Sequence, residues 1–244
     1  MKVFVIVPAA GLGTRMAPPS PAKPKTKQFK ELGGTPILIH TLRTFAAEPA
    51  VHEIVVALRP DEIAGFRAQL ETQYPEILRK PLQLVAGGEH RQDSVAQALS
   101  HIAAEAEDIV LVHDAVRPFV TSEIIAHVIE AAQLHGSAIA AWPAVDTIKQ
   151  VERTADGALI KATIPRASIV MAQTPQGFRY RILRKAFDDA AGDGFLGTDE
   201  ASLIERAGLP VEVVMGSPRN LKITTPADME LAEFYLQHEN GKKS

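Results

Sequence analysis

Short runs of apolar, mostly β-branched residues alternate with amphipathic helical stretches along most of this chain, and that alternation limits its fold more than any other feature. Val3–Val7, Glu53–Leu58, Leu82–Val85, Asp108–Val112 and Ala138–Trp142 read as strands. Between them, apolar residues recur at helical spacing. Ile37, Leu38, Leu42 and Phe45 follow a Thr35 N-cap with Pro36 at the first helical position. Ile63, Phe66 and Leu70 form a second helical set, Val95, Leu99 and Ile102 a third starting at Asp93 or Ser94, and Ile124 to Ile129 a fourth capped by Thr121. A β-α-β-α order of this kind predicts an α/β fold with a doubly wound, mostly parallel sheet and helices on both faces. Ligands of such sheets sit at the carboxyl ends of the strands. The glycine-rich and polar runs Ala9–Arg15, Gly87–Arg91 and His113–Arg117 all fall there.

The order breaks between Pro143 and Gln173. Val145–Val151 alternates with period 2, Asp156-Gly157 is a hairpin turn signal, and Leu159–Ile164 follows. Residues 143–173 therefore read as a β-hairpin arm inserted into a single domain of residues 1–240. Such an arm packs either on its own domain or on a second subunit. A helix from Tyr180 to Ala190, another through Ala201 and Leu203, the strand Val211–Met215 and a last helix from Thr225-Pro226 complete the pattern.

The first loop carries the strongest chemical signal. From Ala9 to Lys30 the chain holds Arg15, Lys23, Lys25, Lys27 and Lys30 and no acidic residue, within a chain of net charge −3. Small residues after a buried strand let a ligand approach the backbone and expose N–H groups to anionic oxygens. The loop reads as a phosphate site or, alternatively, as a solvated Pro-rich segment. It matches neither a Walker P-loop nor a dinucleotide fingerprint, since Met16 replaces the third glycine and Arg59-Pro60 stands where an acidic residue is needed. The eight histidines show no metal-ligand spacing, and no Ser elbow supports a hydrolytic triad. Absence of cysteine excludes disulfides and thiolate metal sites, and the net charge argues against nucleic-acid binding. No apolar run reaches membrane-span length, and no signal-peptide pattern is apparent, so the expected location is cytoplasmic.

What remains is phosphoryl or nucleotidyl transfer, where alignment and charge stabilisation do most of the catalysis. A phosphate nucleophile is largely dianionic at neutral pH and needs no strong base. Arg15 and Lys27 are the candidate cations, the Ala10–Gly13 backbone supplies N–H groups, and Asp114 could assist a metal or serve as a turn carboxylate.

Pro8-Ala-Ala-Gly-Leu-Gly-Thr-Arg-Met16 resembles the opening motif of sugar and alditol nucleotidyltransferases. Gly87-Gly-Glu-His-Arg-Gln-Asp-Ser94, Val112-His-Asp-Ala-Val-Arg-Pro118, Asp146-Thr147, Gln173-Thr-Pro-Gln176, Thr198-Asp-Glu-Ala-Ser202 and Asn220-Leu-Lys-Ile-Thr-Thr225 narrow the resemblance to the 2-C-methyl-D-erythritol 4-phosphate cytidylyltransferases. The similarity is collinear from residue 3 to about 238. It implies a Rossmann-like nucleotidyltransferase domain, CTP and an alditol phosphate as substrates, Mg²⁺, and a homodimer formed through the arm. It also implies that Ala9, Ala10, Gly11, Gly13, Gly88, Ser94 and Ala115 hold the nucleoside, with Asp114 beside the ribose and metal-bound triphosphate. By the same resemblance Arg15 and Lys27 stabilise the α-phosphate and Lys222 orients both substrates. Arg166 and Thr174 would position the alditol phosphate, with Arg117, Asp146 and Thr147 on the arm side. Bland alternatives are a surface lysine for Lys222, a salt bridge for Arg117 and a simple turn for Thr174-Pro175.

The chain departs from the family pattern in a longer Pro/Lys insertion after Arg15, which leaves Lys25 as a rival to Lys27, and in Glu89 where Asp is usual. A ribitol 5-phosphate cytidylyltransferase is the sibling alternative. A silent CTP-binding protein is a further one, opposed by the retention of Arg15, Lys27, Asp114 and Lys222 together.

Overall fold

A computed structural model describes residues 1–11 and 26–240, so Gly13, Arg15 and Lys25 lie outside the described residues. Seven strands form one sheet. β1 (Val3–Pro8) lies near its centre, flanked by β4 (Glu53–Leu58) and β6 (Ile109–Val112), both parallel to it. β5 (Leu82–Ala86) extends the sheet beyond β4 in parallel. On the other side stand β10 (Val170–Arg179), β7 (Ser137–Pro143) and β11 (Glu212–Met215), giving the order β11-β7-β10-β6-β1-β4-β5.

Alternation along β1 divides the core. Val3, Val5 and Val7 face one layer, with α1 (Ile37–Ala47), α2 (Pro60–Gln73) and α4 (Ser122–His135). Phe4 and Ile6 face the other, with α3 (Arg91–Ser100), α5 (Tyr180–Asp193) and α6 (Glu200–Arg206). A strand with both faces covered must be apolar at every position, which is why these runs show no polar alternation. A smaller cluster of Leu32, Ile37, Val116, Phe119, Ile223 and Ala232 seats α7 (Pro226–Asn240) against the loop after β6.

The structure moves several expected boundaries. Thr35 and Pro36 do not open a helix. They form β3, paired with β2 (Glu31–Leu32) across Gly33-Gly34, and α1 starts at Ile37. Both glycines have positive φ, 58° and 77°, which a two-residue hairpin turn requires. α3 begins at Arg91 because His90 is its N-cap, and the Asp93 side chain accepts from the His90 N–H. Thr121 caps α4 as expected, accepting from the Ile124 N–H.

The largest surprise is β10. It lies between β6 and β7, antiparallel to both, so residues 170–173, expected in the arm, belong to the central sheet, and Thr174-Pro175 is not a simple turn. A proline argues against an inner strand, yet the register shifts between Ala172 and Gln176, and Pro175 falls within that irregularity. Gln173, Thr174 and Gln176 are buried with hydrogen-bond partners, so their polarity does not mark a loop.

The inserted arm is β8 (Ile148–Thr154) paired antiparallel with β9 (Gly157–Ile164). Every residue from 149 to 163 is exposed, so within the described chain it does not lie on its own domain.

Candidate active site

The carboxyl ends of β1, β5 and β6 meet in a cleft at the point where connections leave β1 in opposite directions. Its walls include Ala9, Ala10, Gly11, Lys27, Gly88 and Ser94, together with Arg91, Asp114, Ala115 and Lys222. Close packing fixes Gly88 but not Gly11. A Cβ at Gly88 would collide with the Asp93 Cβ, while one at Gly11 would meet nothing within 4 Å. Ser94 Oγ accepts from the Gly88 N–H at 3.2 Å and donates to His90 O, tying the glycine turn to α3.

The backbone of Ala9 is engaged within the protein. Its N–H donates to Ala57 O at 2.7 Å, continuing the β1–β4 ladder, and its carbonyl accepts from the buried Gln28 amide. That second bond places Lys27 beside the cleft. Open backbone at the expected phosphate loop therefore begins no earlier than Ala10.

Asp114 is the electrostatic centre. It is 6% exposed; Oδ1 lies 3.3 Å from Arg91 Nε, and Oδ2 lies 2.9 Å from Lys222 Nζ and 3.3 Å from Arg117 Nε. Burial would raise the Asp114 carboxyl, but Arg91, Lys222 and Arg117 outweigh it and hold the group well below the usual carboxylate range. Arg91 continues the row to Glu200, 2.6 Å away, and despite its burial those two carboxylates raise its pKa further. For Arg117, which among the described residues has Asp114 as its one carboxylate partner, burial prevails and the pKa is lowered.

A neutral hydrogen-bonded row supports Asp114 from below. His113 is fully buried, and burial pushes its pKa down to about 4. Its Nε2 faces Arg117 O at 3.1 Å and must therefore donate, leaving Nδ1 to accept from the Thr174 hydroxyl at 3.1 Å. Thr174 Oγ1 in turn accepts the Asp114 N–H at 3.0 Å. The chain from Arg117 through His113 and Thr174 to Asp114 fixes the loop after β6 against β10. Asn220 adds a second tie: its carbonyl accepts from Arg117 Nη1 at 2.6 Å, and its amide donates to Thr174 O at 2.8 Å. The Ile223 N–H donates to Val116 O, holding the Lys222 segment beside the same loop.

Two further clefts open from this cluster. One is bounded by Arg91, Asp114, Arg117, Thr174, Thr198 and Lys222. The other, at the root of the arm, includes Arg117, Trp142, Asp146, Met171, Leu221 and Lys222. Arg91, Asp114 and Lys222 form the partition between the first cleft and its neighbour.

The structure thus brings together Ala9, Ala10, Gly11, Lys27, Gly88, Ser94, Asp114, Ala115, Arg117, Thr174 and Lys222, with Asp146 at the edge. Thr147 and Arg166 are exposed on the arm side and line none of these clefts; Arg166 Nη1 donates to Val145 O. Thr174 is more than a turn residue, since its hydroxyl is already shared between His113 and Asp114. A metal-ligand role for Asp114 does not fit this geometry. Both of its oxygens face cationic side chains, and among the described residues no group of three or more His, Asp or Glu could hold a metal ion. Sequence reasoning gave no role to Arg91, His113, Glu200 or Asn220. All four lie inside motif segments, and the missing signal was burial, which a linear sequence does not display for polar residues.

The family model described as IspD, 2-C-methyl-D-erythritol 4-phosphate cytidylyltransferase, matches residues 3–238. A 2-C-methyl-D-erythritol 4-phosphate cytidylyltransferase of Acidobacterium capsulatum is 59% identical over 242 residues, covering 99% of this chain and 100% of that protein. One of Solibacter usitatus is 49% identical over 246 residues, covering 100% and 99%. The crystal structure of the Thermus thermophilus enzyme of that name superposes with a TM-score of 0.75 at 34% identity, over 97% of this chain and 100% of that one. Matched from its first strand into its last helix, the chain belongs to the 2-C-methyl-D-erythritol 4-phosphate cytidylyltransferase family.

Proposed function

We propose that this chain transfers the cytidylyl group of CTP to 2-C-methyl-D-erythritol 4-phosphate, releasing pyrophosphate in isoprenoid precursor synthesis. The observation that carries the reading, beside family membership, is the shared partition of Arg91, Asp114 and Lys222 between a cleft walled by small residues and a second, cationic cleft. A nucleoside needs the first and an alditol phosphate the second, with the reacting phosphates meeting at the partition.

In this reading the alditol phosphate oxygen attacks the α-phosphorus of CTP, a P–O bond forms, and the bond to the β-phosphate breaks. The phosphate is its own nucleophile, so no side chain has to accept a proton. The protein aligns the groups and stabilises charge on the α-phosphate. Lys222 and Lys27 border the nucleotide cleft and are suited to that task; Arg15 is assigned to it by its motif alone. Ser94 and the glycine turn read the pyrimidine edge. Any divalent cation is placed with the triphosphate as part of the substrate, since Asp114 is already neutralised by side chains.

The arm at 143–173 is proposed to form a homodimer. Support comes from the exposure of every residue from 149 to 163 and from Leu159 and Ile160, 67% and 66% exposed on a two-stranded hairpin that is marginal alone. Pairing would carry Thr147 and Arg166 toward the alditol cleft of a second copy. No helix among the described residues is long and apolar enough to cross a membrane. A cytoplasmic location suits a cysteine-free chain acting on CTP.

Pyrophosphate release with CTP and either 2-C-methyl-D-erythritol 4-phosphate or ribitol 5-phosphate tests the assignment. Turnover on the former is expected; turnover on ribitol phosphate alone would overturn it. The named relatives give no support to the ribitol reading.

A further inference from the structure

Glu200 belongs to none of the cleft walls described above, yet it ends the row of charges that crosses them. It opens α6, is 1% exposed, and its Oε1 accepts from Arg91 Nη1 at 2.6 Å. Its Oε2 is buried without a hydrogen-bond partner among the described residues. A carboxylate in that position is costly, and an apolar residue of similar volume would often be at least as stable there. Among the described residues its one charged partner is Arg91. That guanidinium uses Nη1 for Glu200 and Nε for Asp114 Oδ1, so its plane is fixed at both ends. Asp114 then turns Oδ2 to Lys222 and Arg117. Signs alternate along the row, and each link is oriented by the one before it.

The seat of Glu200 is equally fixed. Asp199 accepts from Gln176 Nε2, Gln176 Oε1 accepts the Ala201 N–H, and the Gly197 N–H donates to Gln92 Oε1. β10 and α3 therefore grip the peptide on either side of Glu200, which sets its distance from Arg91. Loss of the Glu200 charge would leave Arg91 divided between Asp114 and an incoming polyphosphate.

We infer that Glu200 is a positioning residue for cytidylyl transfer, acting through Arg91 to hold Asp114 in the orientation that presents Lys222 and Arg117 at the partition between the clefts. The inference rests on the functional reading above. It assigns Glu200 to the alignment of the reacting groups and not to nucleoside recognition, because the row meets the nucleotide cleft only at Arg91, Asp114 and Lys222, the side shared with the second cleft.

The test compares parent, E200Q, E200D, R91K and R91K/E200Q by steady-state pyrophosphate release, with CTP affinity from calorimetry and folding from thermal melts. Gln keeps the volume and the acceptor facing Arg91 and removes the charge. Removing a side chain that orients a metal ligand from behind costs about 10–100-fold, and by analogy kcat of E200Q is expected to fall about tenfold or more. CTP affinity should stay within about threefold, E200D should recover part of the rate, and the double variant should be no slower than R91K. A folded E200Q within about twofold of the parental kcat, or a double variant slowed by the product of both single effects, would overturn the inference. If E200Q does not fold, E200D decides: a lowered kcat with CTP affinity kept supports it, and a parental kcat overturns it. A parent inactive with both substrates supplied refutes the functional reading itself, a result separate from any behaviour of Glu200.

Discussion

The cleft edge of the sheet and the β8–β9 arm use the same backbone chemistry to opposite ends. At the cleft, polar and charged groups are buried, and nearly every one is held by a named partner: Asp114 by three cations, Thr174 by Asp114 and His113, and Asn220 by Gln173 and Thr174. In the arm, apolar side chains such as Leu159 and Ile160 stand in solvent, and among the described residues its strands pair only with each other. A buried polar group is tolerated only when it is satisfied, and an exposed apolar strand pair gains stability only from something outside the domain. These polar groups of the first region find their partners within the chain. The second region is the segment proposed above to pair with another copy.

Breaking the cleft at its centre should have the largest effect. Asp114→Asn leaves Arg91, Arg117 and Lys222 crowded without their shared counter-charge. Removing one partner of a buried ion pair costs about 3–5 kcal/mol, to be read from urea unfolding, and turnover should fall at least about a hundredfold, in line with the loss of a group that organises transition-state charge.

The row beneath Asp114 is expected to show in the pH dependence of stability. His113 is neutral in the fold, with its pKa pushed down from 6.5 to about 4. Between those values the unfolded chain takes up a proton that the folded chain refuses, so stability falls as pH falls from about 6.5 to about 4. The loss approaches about 3 kcal/mol, from 1.36 kcal/mol per pH unit. Asp114, whose folded pKa is lowered, keeps its contribution through that window and loses it only at lower pH. Chemical denaturation at several pH values should show the slope in the parent and its absence in His113→Gln.

A smaller effect is expected at the glycine turn. Gly88→Ala forces a methyl group into Asp93, and overpacking of this kind costs about 1–3 kcal/mol. CTP affinity should drop with it, measured by calorimetry. Smallest for the folded domain is Leu159→Ser with Ile160→Ser: stability of the isolated chain should change by less than about 0.5 kcal/mol, as for other exposed positions. Sedimentation velocity should then show loss of association. A double variant that unfolds the domain while leaving its association state unchanged would erase the contrast between the two regions.

Much of the architecture was legible because it depends on periodicity. Covered parallel strands must be apolar throughout, and helices must repeat near every third or fourth residue, so β1, β4, β5, β6 and β7 could be located with α2 to α4. β10 escaped because its buried residues include Gln173, Thr174 and Gln176 and it contains Pro175. Their polarity is satisfied by Ser217, His113 and Asp199, none of them near in sequence. The site divides in the same manner. Ala9, Ala10, Gly11, Gly88 and Ser94 could be placed from motifs at strand ends. Arg91 and Glu200, 109 positions apart, meet only when α6 packs beside α3.

By itself, then, the sequence determined an alternating α/β chain, a cationic first loop, a projecting hairpin and an ordered set of motifs at the strand ends. Tertiary structure alone decided which charges face each other. It gave Asp114 three cationic neighbours, made His113 a buried neutral link, and left the arm bare. Periodicity is a local property written along the chain, whereas the pairing of buried charges depends on distances that exist only after distant segments have packed.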